Sequence, residues 1–284
     1  MKMGVEKMKR IKRLPVSLGT KIERITNFLC MSLRIWYNKN KDYSLENPNT
    51  TKGWEKMCMT SINPITEIKS EIAHHLLKYT LENESMLEAG CGTASISAEL
   101  AISNRKIYLS DFSENILKRA TLLFQKSNLA LNGMYCFDLT KPFPFSDNSF
   151  DVIWSSGVLE HWTEEELPPI ITEMVRCAKR CVISLVPNER SVLYRFGREY
   201  SEHYGVAPWG REIPRTTLRH HFEEAGLVNI YETCVCLSMA PFLIGILEPV
   251  FSKKVRKWWE QIPESDPVKT NQGYLLFTIG YKKA

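Results

Sequence analysis

The run Met86-Leu87-Glu88-Ala89-Gly90-Cys91-Gly92-Thr93-Ala94 decides how this chain is organised. Its first residues are mainly apolar and predict a short buried strand. Gly90 and Gly92 follow that strand, and glycine allows the backbone to turn sharply and to approach a ligand closely. The helix expected next would present its free N–H groups at the same place. The run therefore predicts a strand, a tight ligand-binding turn and a helix.

Downstream of this run, short apolar segments alternate with helical segments, which is typical of a parallel α/β sheet. Strands are predicted at 85–89, 106–110, 134–138, 151–155, 181–186, 227–235 and 273–281. Helices are predicted at 94–103, 113–127, 164–179 and 216–225. Ser113 is expected to cap the second of these helices, and Thr163 with Glu166 is expected to form a capping box for the third. Another helix is predicted before the sheet, with Asn63 as its cap and Pro64 in its first turn.

Acidic residues lie at the ends of three successive predicted strands, where a parallel sheet binds its ligands. Glu88 would repel a pyrophosphate but attract an ammonium group. Asp111 is placed to accept hydrogen bonds from ribose hydroxyls and Asp138 from an adenine amino group, with Phe112 covering the adenine face. The dinucleotide-binding motif G-x-G-x-x-G has a third glycine at the position that Ser95 occupies here. Together these residues indicate S-adenosylmethionine (SAM) rather than a dinucleotide.

The sequence resembles the class I SAM-dependent methyltransferases, especially those that act on small molecules. The matching residues are LEAGCGTA (87–94), YLSDFSENILKRA (108–120), CFDLTKPFPFSDNSFDVIWSSGVLEHW (136–162) and EMVRCAKRCVISLVPN (173–188). The resemblance implies an α/β, Rossmann-like, seven-stranded and mostly parallel sheet with an antiparallel last strand and helices on both faces. Ala94 departs from the pattern, because many relatives have a third glycine there.

The resemblance also implies which residues bind the SAM cofactor. The expected contacts are Glu88, Gly90, Cys91, Gly92, Asp111, Phe112, Asp138 and Leu139, with backbone contacts near Ser155. No metal site is expected, because the eight cysteines include no C-x-x-C pair. Free thiols in a reducing cytosol are expected instead.

His161 is the candidate catalytic residue, because Leu159-Glu160-His161 follows the fourth predicted strand on the cofactor side of the sheet. Methyl transfer from a sulfonium is an in-line displacement that depends mainly on alignment of the reacting atoms. A general base is needed only when the acceptor must lose a proton early. His161 is therefore expected to act either as that base or as a residue that orients the substrate.

Two insertions and the N-terminal helices are expected to surround the acceptor. Segment 187–215 is too long for a plain connection and is predicted to form a substrate lid, with a surface Ω-loop as the alternative. N-terminal helices, with Trp54 and Glu55 and the helix after Asn63, are expected to close the other side. The predicted substrate-lining residues are Trp54, Trp162, Tyr194, Tyr200, His203, Tyr204, Trp209 and Arg211.

The second insertion, 236–272, combines apolar and basic character. It contains MAPFLIGILEPVF (239–251), followed by SKKVRKWW (252–259). Thirteen residues are too few to span a bilayer, but such a segment can lie in a membrane interface. It can equally form a hydrophobic cap on the N-terminal helix or a dimer face, and the oligomeric state stays open.

The charge distribution separates a basic tail from the rest of the chain. The net charge is +5, of which residues 1–24 contribute +6, so the remaining residues sum to −1. A nucleic-acid substrate is therefore not expected.

The predicted organisation is a flexible tail (1–15), a helical cap and linker (16–62) and a SAM-binding domain (63–284). Without a secretory signal or spanning segment, a cytoplasmic enzyme is expected, with peripheral membrane contact through 1–37 and 239–259 as an option.

The expected function is methyl transfer from SAM to a small-molecule or lipid-like acceptor. A non-catalytic SAM-fold binding or regulatory protein and a methyltransferase acting on a protein side chain are the alternatives. A nicotinamide-dependent oxidoreductase is disfavoured by Ser95 and Glu88. The acceptor atom stays open, because oxygen, nitrogen, sulfur and carbon acceptors all occur on this fold.

Overall fold

The computed structural model describes residues 51–58, 61–203, 212–241 and 249–283. The chain divides into two compact units, 1–43 and 44–284, and every described residue belongs to the second. The predicted tail (1–15) and most of the predicted helical cap and linker (16–62) therefore lie outside the described residues, as does segment 242–248 of the second insertion.

A seven-stranded sheet forms the centre of the second unit, in the order β3-β2-β1-β4-β5-β7-β6. Strand β7 is antiparallel to both of its neighbours, and the other pairs are parallel. This confirms the predicted fold class. The strands are β1 (Ser85–Ala89), β2 (Lys106–Asp111), β3 (Gly133–Cys136), β4 (Phe150–Ser156), β5 (Ala178–Pro187), β6 (Val228–Val235) and β7 (Leu275–Tyr281).

Helices cover both faces of the sheet, because alternate residues of each strand are buried on opposite sides. Met86 of β1 belongs to one hydrophobic core, and its neighbour Leu87 belongs to the other. The described helices are α1 (Thr51–Cys58), α2 (Glu71–Leu76), α3 (Ser95–Ile102), α4 (Glu114–Lys126), α5 (Leu167–Cys177), α6 (Val192–His203), α7 (Arg219–Glu224) and α8 (Pro249–Gln261). Helices α2, α3 and α4 contribute to the first core, whereas α5 and α7 contribute to the second. None of the helices in the described part of the chain is both long and apolar enough to cross a membrane.

The strand order reverses at β1, which pairs with β2 on one side and with β4 on the other. In open parallel sheets, ligands bind beyond the carboxyl ends of the strands at such a reversal. The run 86–94 therefore lies at the expected binding crevice of the fold.

The predicted cap of α4 is confirmed, since Ser113 Oγ accepts a hydrogen bond from the Ile116 amide (3.3 Å). The predicted helix starting at Asn63-Pro64 is wrong. The Ile65 amide donates instead to Ser127 Oγ (2.8 Å), which ties this stretch to the end of α4. Helix α2 begins only at Glu71, because Ser70 Oγ accepts from two amides of its first turn.

The boundaries of two other elements also differ from the prediction. Helix α5 begins at Leu167 rather than 164 and ends at Cys177, because the chain enters β5 at Ala178. One half of the predicted capping box is present, with the Thr163 amide donating to Glu166 Oε2 (2.8 Å). Strand β3 ends at Cys136, so Asp138 lies beyond the strand rather than at its last residue.

Candidate cofactor and acceptor site

A cavity of about 930 Å³ opens at the carboxyl ends of β1, β2 and β4. This volume lies within the range of small-molecule sites in proteins. Its walls come from the glycine turn, the ends of these strands, the start of α3 and helix α1. The lining residues are Trp54, Cys58, Glu88, Gly90, Cys91, Gly92, Thr93, Ala94, Ser95, Ile96, Asp111, Phe112, Ile116, Phe137, Asp138, Leu139, Thr140, Ser156, Gly157, Val158, His161 and Trp162.

The turn between β1 and α3 requires glycine at Gly90. Its φ is +75°, and a Cβ added there would lie 2.8 Å from Val158 Cγ2. Gly92 also has a positive φ, of +49°. Ala94 adopts the left-handed region with φ +55°, a conformation that is strained for a residue with a side chain and that glycine adopts freely. The turn thus brings the backbone against the cavity wall.

Glu88 is a buried carboxyl group on the wall of this cavity. Its Oε2 accepts a hydrogen bond from the Ser97 hydroxyl of α3 (2.6 Å). Burial raises the pKa of Glu88 to about 8, although the Ser97 hydrogen bond opposes the shift. A cation placed beside this carboxyl group would favour its ionised form. Glu88 therefore fits the ammonium group of a methionine moiety.

Two backbone amides hold Asp111 beside the glycine turn. The Gly92 amide donates to Oδ2 and the Ser113 amide donates to Oδ1, both at 3.1 Å. Burial raises the pKa of Asp111, and these amide hydrogen bonds oppose the shift. Each carboxylate oxygen has a second lone pair, so Asp111 keeps the capacity to accept from two vicinal hydroxyls.

Phe112, Asp138 and Leu139 line the neighbouring part of the cavity. Phe112 is partly exposed, and Leu139 is buried. Asp138 Oδ1 accepts from the amide and the hydroxyl of Thr140, both at 2.8 Å. These hydrogen bonds orient an exposed carboxylate at the rim, and the two apolar side chains provide surfaces for a planar ring.

Helix α1 covers the cavity and is bound to the start of α4. Glu55 Oε1 accepts from the Ser113 hydroxyl (2.6 Å) and from the Asn115 amide group (3.1 Å). Trp54 on the same helix contacts His161 edge to face, with 4.9 Å between the ring centroids. His161 lies in the short 3-10 helix Leu159–His161 that follows β4. Trp54, His161 and Trp162 therefore form an aromatic wall at one part of the cavity.

The two cysteines of the cavity, Cys58 and Cys91, are buried thiols. Burial raises the pKa of Cys58 to about 11 and that of Cys91 well above its ordinary value. Both thiols therefore stay protonated at neutral pH. Since a thiolate is the nucleophilic form of cysteine, the site does not contain an activated cysteine nucleophile in its described residues.

The structure brings most of the predicted site residues together. The predicted residues that line the cavity are Trp54, Glu88, Gly90, Cys91, Gly92, Asp111, Phe112, Asp138, Leu139, His161 and Trp162. Their roles in binding or catalysis stay predictions.

Ser155 and Tyr194 do not line this cavity. The Ser155 hydroxyl lies 3.2 Å from that of Ser184 on β5, within the sheet, and Ser156 reaches the cavity instead. Successive side chains of a strand point to opposite faces, so a shift of one residue reverses the direction. Tyr194 is fully buried in α6 and donates to Glu212 Oε2 (3.0 Å), a hydrogen bond within the predicted lid. Its ring also contacts Tyr274 edge to face, with 5.4 Å between the ring centroids, and this contact joins the predicted lid to the residues before β7.

The other predicted lid residues are not placed against the cavity. Tyr200 and His203 belong to α6, but their side chains are outside the description. Tyr204, Trp209 and Arg211 lie outside the described residues altogether.

Ser97 and Cys58 were missed from the sequence. Ser97 is a fully buried hydroxyl in α3, and it donates a hydrogen bond to Glu88 Oε2. Cys58 reaches the cavity because α1 crosses it. No local sequence pattern predicts that either residue belongs to the site, because both reach it through contacts between distant parts of the chain.

A histidine and carboxylate cluster lies outside the cavity lining. Glu164 Oε2 is 2.6 Å from His221 Nε2 and 3.4 Å from His220 Nε2, an arrangement compatible with a metal ion. The Arg215 guanidinium also donates to Glu164. Because this cation already balances the carboxylate, the cluster is better explained as an ion-pair network.

Comparison with known proteins agrees with this geometry. Residues 87–183 match the family described as a methyltransferase domain. A phosphoethanolamine N-methyltransferase of Triticum aestivum is 31% identical over 120 residues, covering 40% of this chain and 22% of that protein. Phosphoethanolamine N-methyltransferase 1 of Arabidopsis thaliana is 30% identical over 101 residues, covering 33% and 19%. The chain thus matches about a fifth of the length of these curated relatives.

Solved structures show the same fold at low sequence identity. Magnesium protoporphyrin IX methyltransferase from Synechocystis, with bound S-adenosylhomocysteine (SAH), has a TM-score of 0.50 at 16% identity, covering 90% of this chain and 94% of that chain. Phosphoethanolamine N-methyltransferase 2 from Haemonchus contortus, in complex with phosphomonomethylethanolamine and SAH, has a TM-score of 0.52 at 14% identity, covering 86% and 60%.

The domain match spans the glycine turn, the three acidic residues and the segment after β4. The seven strands and the antiparallel β7 agree with the fold that the resemblance implies. SAM is the cofactor that such a domain uses. The chain therefore carries a class I SAM-dependent methyltransferase domain.

Proposed function

We propose that this protein transfers a methyl group from SAM to a small-molecule acceptor bound in the cavity at the ends of β1, β2 and β4. The observation that carries the proposal is the position of Glu88. This carboxyl group is buried at the glycine turn and faces the same cavity as Asp111 and the aromatic wall. One cavity thus combines groups suited to the cofactor with a separate surface for an acceptor.

The residues of the cofactor part fit SAM group by group. Glu88 would bind the ammonium, and the turn at Gly90 and Gly92 would leave room for the carboxylate beside the N-terminus of α3. Asp111 would accept from the ribose hydroxyls, and Phe112 with Leu139 would enclose the adenine. When bound, SAM supplies an activated methyl group on a sulfonium.

The aromatic wall of Trp54, His161 and Trp162 would hold the acceptor. Holding the acceptor in line with the methyl group and excluding water accelerates a displacement without covalent help from the protein. His161 would orient the acceptor or, for an acceptor that must lose a proton, remove that proton. Indole faces attract cations, so an amine suits this wall.

The proposal also includes the chemical class of the methyl acceptor, which the assignment of a methyltransferase domain leaves open. The curated relatives are named for phosphoethanolamine, which makes that phosphorylated amine the first acceptor to assay. A lipid-like acceptor and a protein side chain stay as alternatives. The expected cytoplasmic location is part of the proposal and is tested by cell fractionation.

The test is a transfer assay with deuterated SAM and a panel of amines, phosphoamines and lipid extracts. Formation of SAH together with a mass-labelled product supports the proposal. The Glu88→Gln variant should lose most of the transfer. Tight SAM binding without transfer to any acceptor would contradict the enzyme proposal and favour a regulatory SAM-binding protein.

A further inference from the structure

Helix α8 is bound to the domain by one of its faces. Trp259 is only 3% exposed, and its indole N–H donates to the Leu237 carbonyl (2.7 Å). The Lys269 ammonium lies over the same ring, 5.2 Å from the centroid. Val255, one turn before Trp259, is half-buried. The inner face of α8, which carries Val255 and Trp259, is therefore fixed against the domain.

The outer face of α8 is strongly basic. Lys253, Lys254, Arg256 and Lys257 are all exposed. None of the four forms an ion pair with any residue in the described part of the chain. Glu260 is the one acidic residue within the helix sequence. This charge is local, because residues 25–284 together carry a net charge of −1.

An apolar side chain lies on the same outer face. Trp258 is 52% exposed and is adjacent in the helix to Lys254 and Lys257. In sequence, α8 is preceded by the apolar segment 239–248, MAPFLIGILE, which has a single charged residue. A basic helix face with an exposed tryptophan matches the chemistry of a membrane interface, where lysines contact lipid phosphates and the indole enters the headgroup region.

We propose that the outer face of α8, formed by Lys253, Lys254, Arg256, Lys257 and Trp258, docks the protein on an anionic lipid surface. The four cations bind acidic headgroups, and Trp258 inserts at the level of the headgroups. An acidic nucleic acid or peptide would match the charges equally. The exposed indole of Trp258 and the apolar residues that precede α8 in the sequence favour lipid. The proposal does not depend on the identity of the methyl acceptor.

The test measures sedimentation of the full-length protein with vesicles of phosphatidylcholine alone or mixed with phosphatidylglycerol. Binding is expected to the mixed vesicles and to fall as salt is added. Each Lys or Arg near an anionic surface strengthens binding by roughly fivefold, so the double variant K253Q/K257Q should bind about 25-fold more weakly. Trp258→Ala should weaken binding by roughly tenfold, because the indole no longer inserts.

Matched variants on α4 serve as controls, since α4 packs near β2 and β3, at the opposite edge of the sheet from β6. K118Q/K126Q removes the same charge, and Leu122→Ala shortens an apolar side chain that is 48% exposed. Both should leave vesicle binding unchanged, and all variants should keep the thermal unfolding midpoint of the parent. The basic tail, present in every variant, contributes a constant background.

Three outcomes would overturn the proposal. One is vesicle binding that the α8 variants and the α4 controls weaken equally. Another is competition in which an oligonucleotide binds the outer face of α8 more tightly than mixed vesicles do, which would assign the face to nucleic acid. Absence of binding to the mixed vesicles at low salt would also exclude a lipid-docking role.

Discussion

Glu88 makes SAM affinity depend on pH in a defined direction. Because the pKa of Glu88 is raised to about 8, the carboxyl group is mostly protonated below that pH and binds an ammonium weakly. SAM binding must then release a proton. SAM affinity should therefore rise with pH between 6 and 7.5, by up to roughly tenfold per unit. The measurement is isothermal titration calorimetry in buffers of different ionisation enthalpy.

Measurements stay below pH 7.5, because α-amino groups lose their proton near pH 8. Glu88→Gln should bind SAM roughly 10- to 100-fold more weakly, the usual loss for a hydrogen bond to a charged group. Its affinity should also be nearly flat over this pH range. If Glu88→Gln kept the pH dependence of the parent, a group other than Glu88 would be the source of the released proton.

Gly90 and Gly226 form a matched pair for testing the turn. Both have positive φ, +75° and +90° respectively, so alanine strains the backbone at both. A Cβ at Gly90 meets Val158 at 2.8 Å, whereas nothing lies within 4 Å of a Cβ at Gly226. Gly90→Ala should abolish detectable SAM binding, and Gly226→Ala should lower stability by about 1 kcal/mol while retaining SAM affinity. Equal SAM affinities would show that the turn does not contact the cofactor.

At the residue scale, the sequence predicted cavity residues where the residue type itself carries the chemistry. It did not predict the direction in which a side chain points. Glu88, Asp111 and Asp138 were found because carboxylates at the ends of successive strands form a pattern. Tyr194 was expected to line the acceptor site but binds Glu212 in the interior, because residue type does not reveal which way a side chain points. The backbone contact expected near Ser155 stays a prediction, and the next residue, Ser156, lines the cavity.

At the scale of elements, the position of α1 depends on Glu55. Its Oε1 accepts two hydrogen bonds from the start of α4, and α1 carries Trp54 over the cavity. Glu55→Ala should weaken SAM binding by about fivefold, because the covering helix loses roughly 1 kcal/mol of attachment. Hydrogen exchange of residues 51–58 should increase in the same variant.

Two further variants separate the hydrogen bonds of Glu55 from its charge. Glu55→Gln keeps the acceptor oxygen and should restore most of the SAM affinity. Glu114→Ala removes an exposed acid of α4 that forms a surface ion pair with Lys118, and should have no effect on SAM affinity or on exchange. Loss of affinity in Glu114→Ala as large as in Glu55→Ala would indicate a general charge effect.

The elements before the sheet were less predictable than those within it. Asn63-Pro64 has the composition of a helix start, but a long-range hydrogen bond from Ile65 to Ser127 holds the chain in an irregular path. Ser70 caps α2 seven residues later. The residues that favour a helix start act locally, whereas the hydrogen bond that prevents the helix here comes from a residue far away in sequence. The local sequence therefore did not predict where α2 begins.

At the scale of the whole molecule, alternation of strands and helices was sufficient to predict a parallel α/β sheet. It was not sufficient to predict that β7 is antiparallel, which followed only from the resemblance to methyltransferases, or that β7 lies between β5 and β6, which only the structure shows. Pairing between β5 and β7 joins residues far apart in sequence, such as Ile183 and Ile279. Hydrophobic periodicity identifies a strand but carries no information about its neighbours.

The central claim is that the ends of β1 and β2 form a SAM site, and equilibrium binding tests it most directly. Titration of the full-length protein with SAM should show one site per chain, for which SAH competes and NAD does not. SAM at 100 times its dissociation constant should stabilise the fold by about 2.7 kcal/mol. Absence of SAM binding, or displacement of SAM by NAD, would contradict the account.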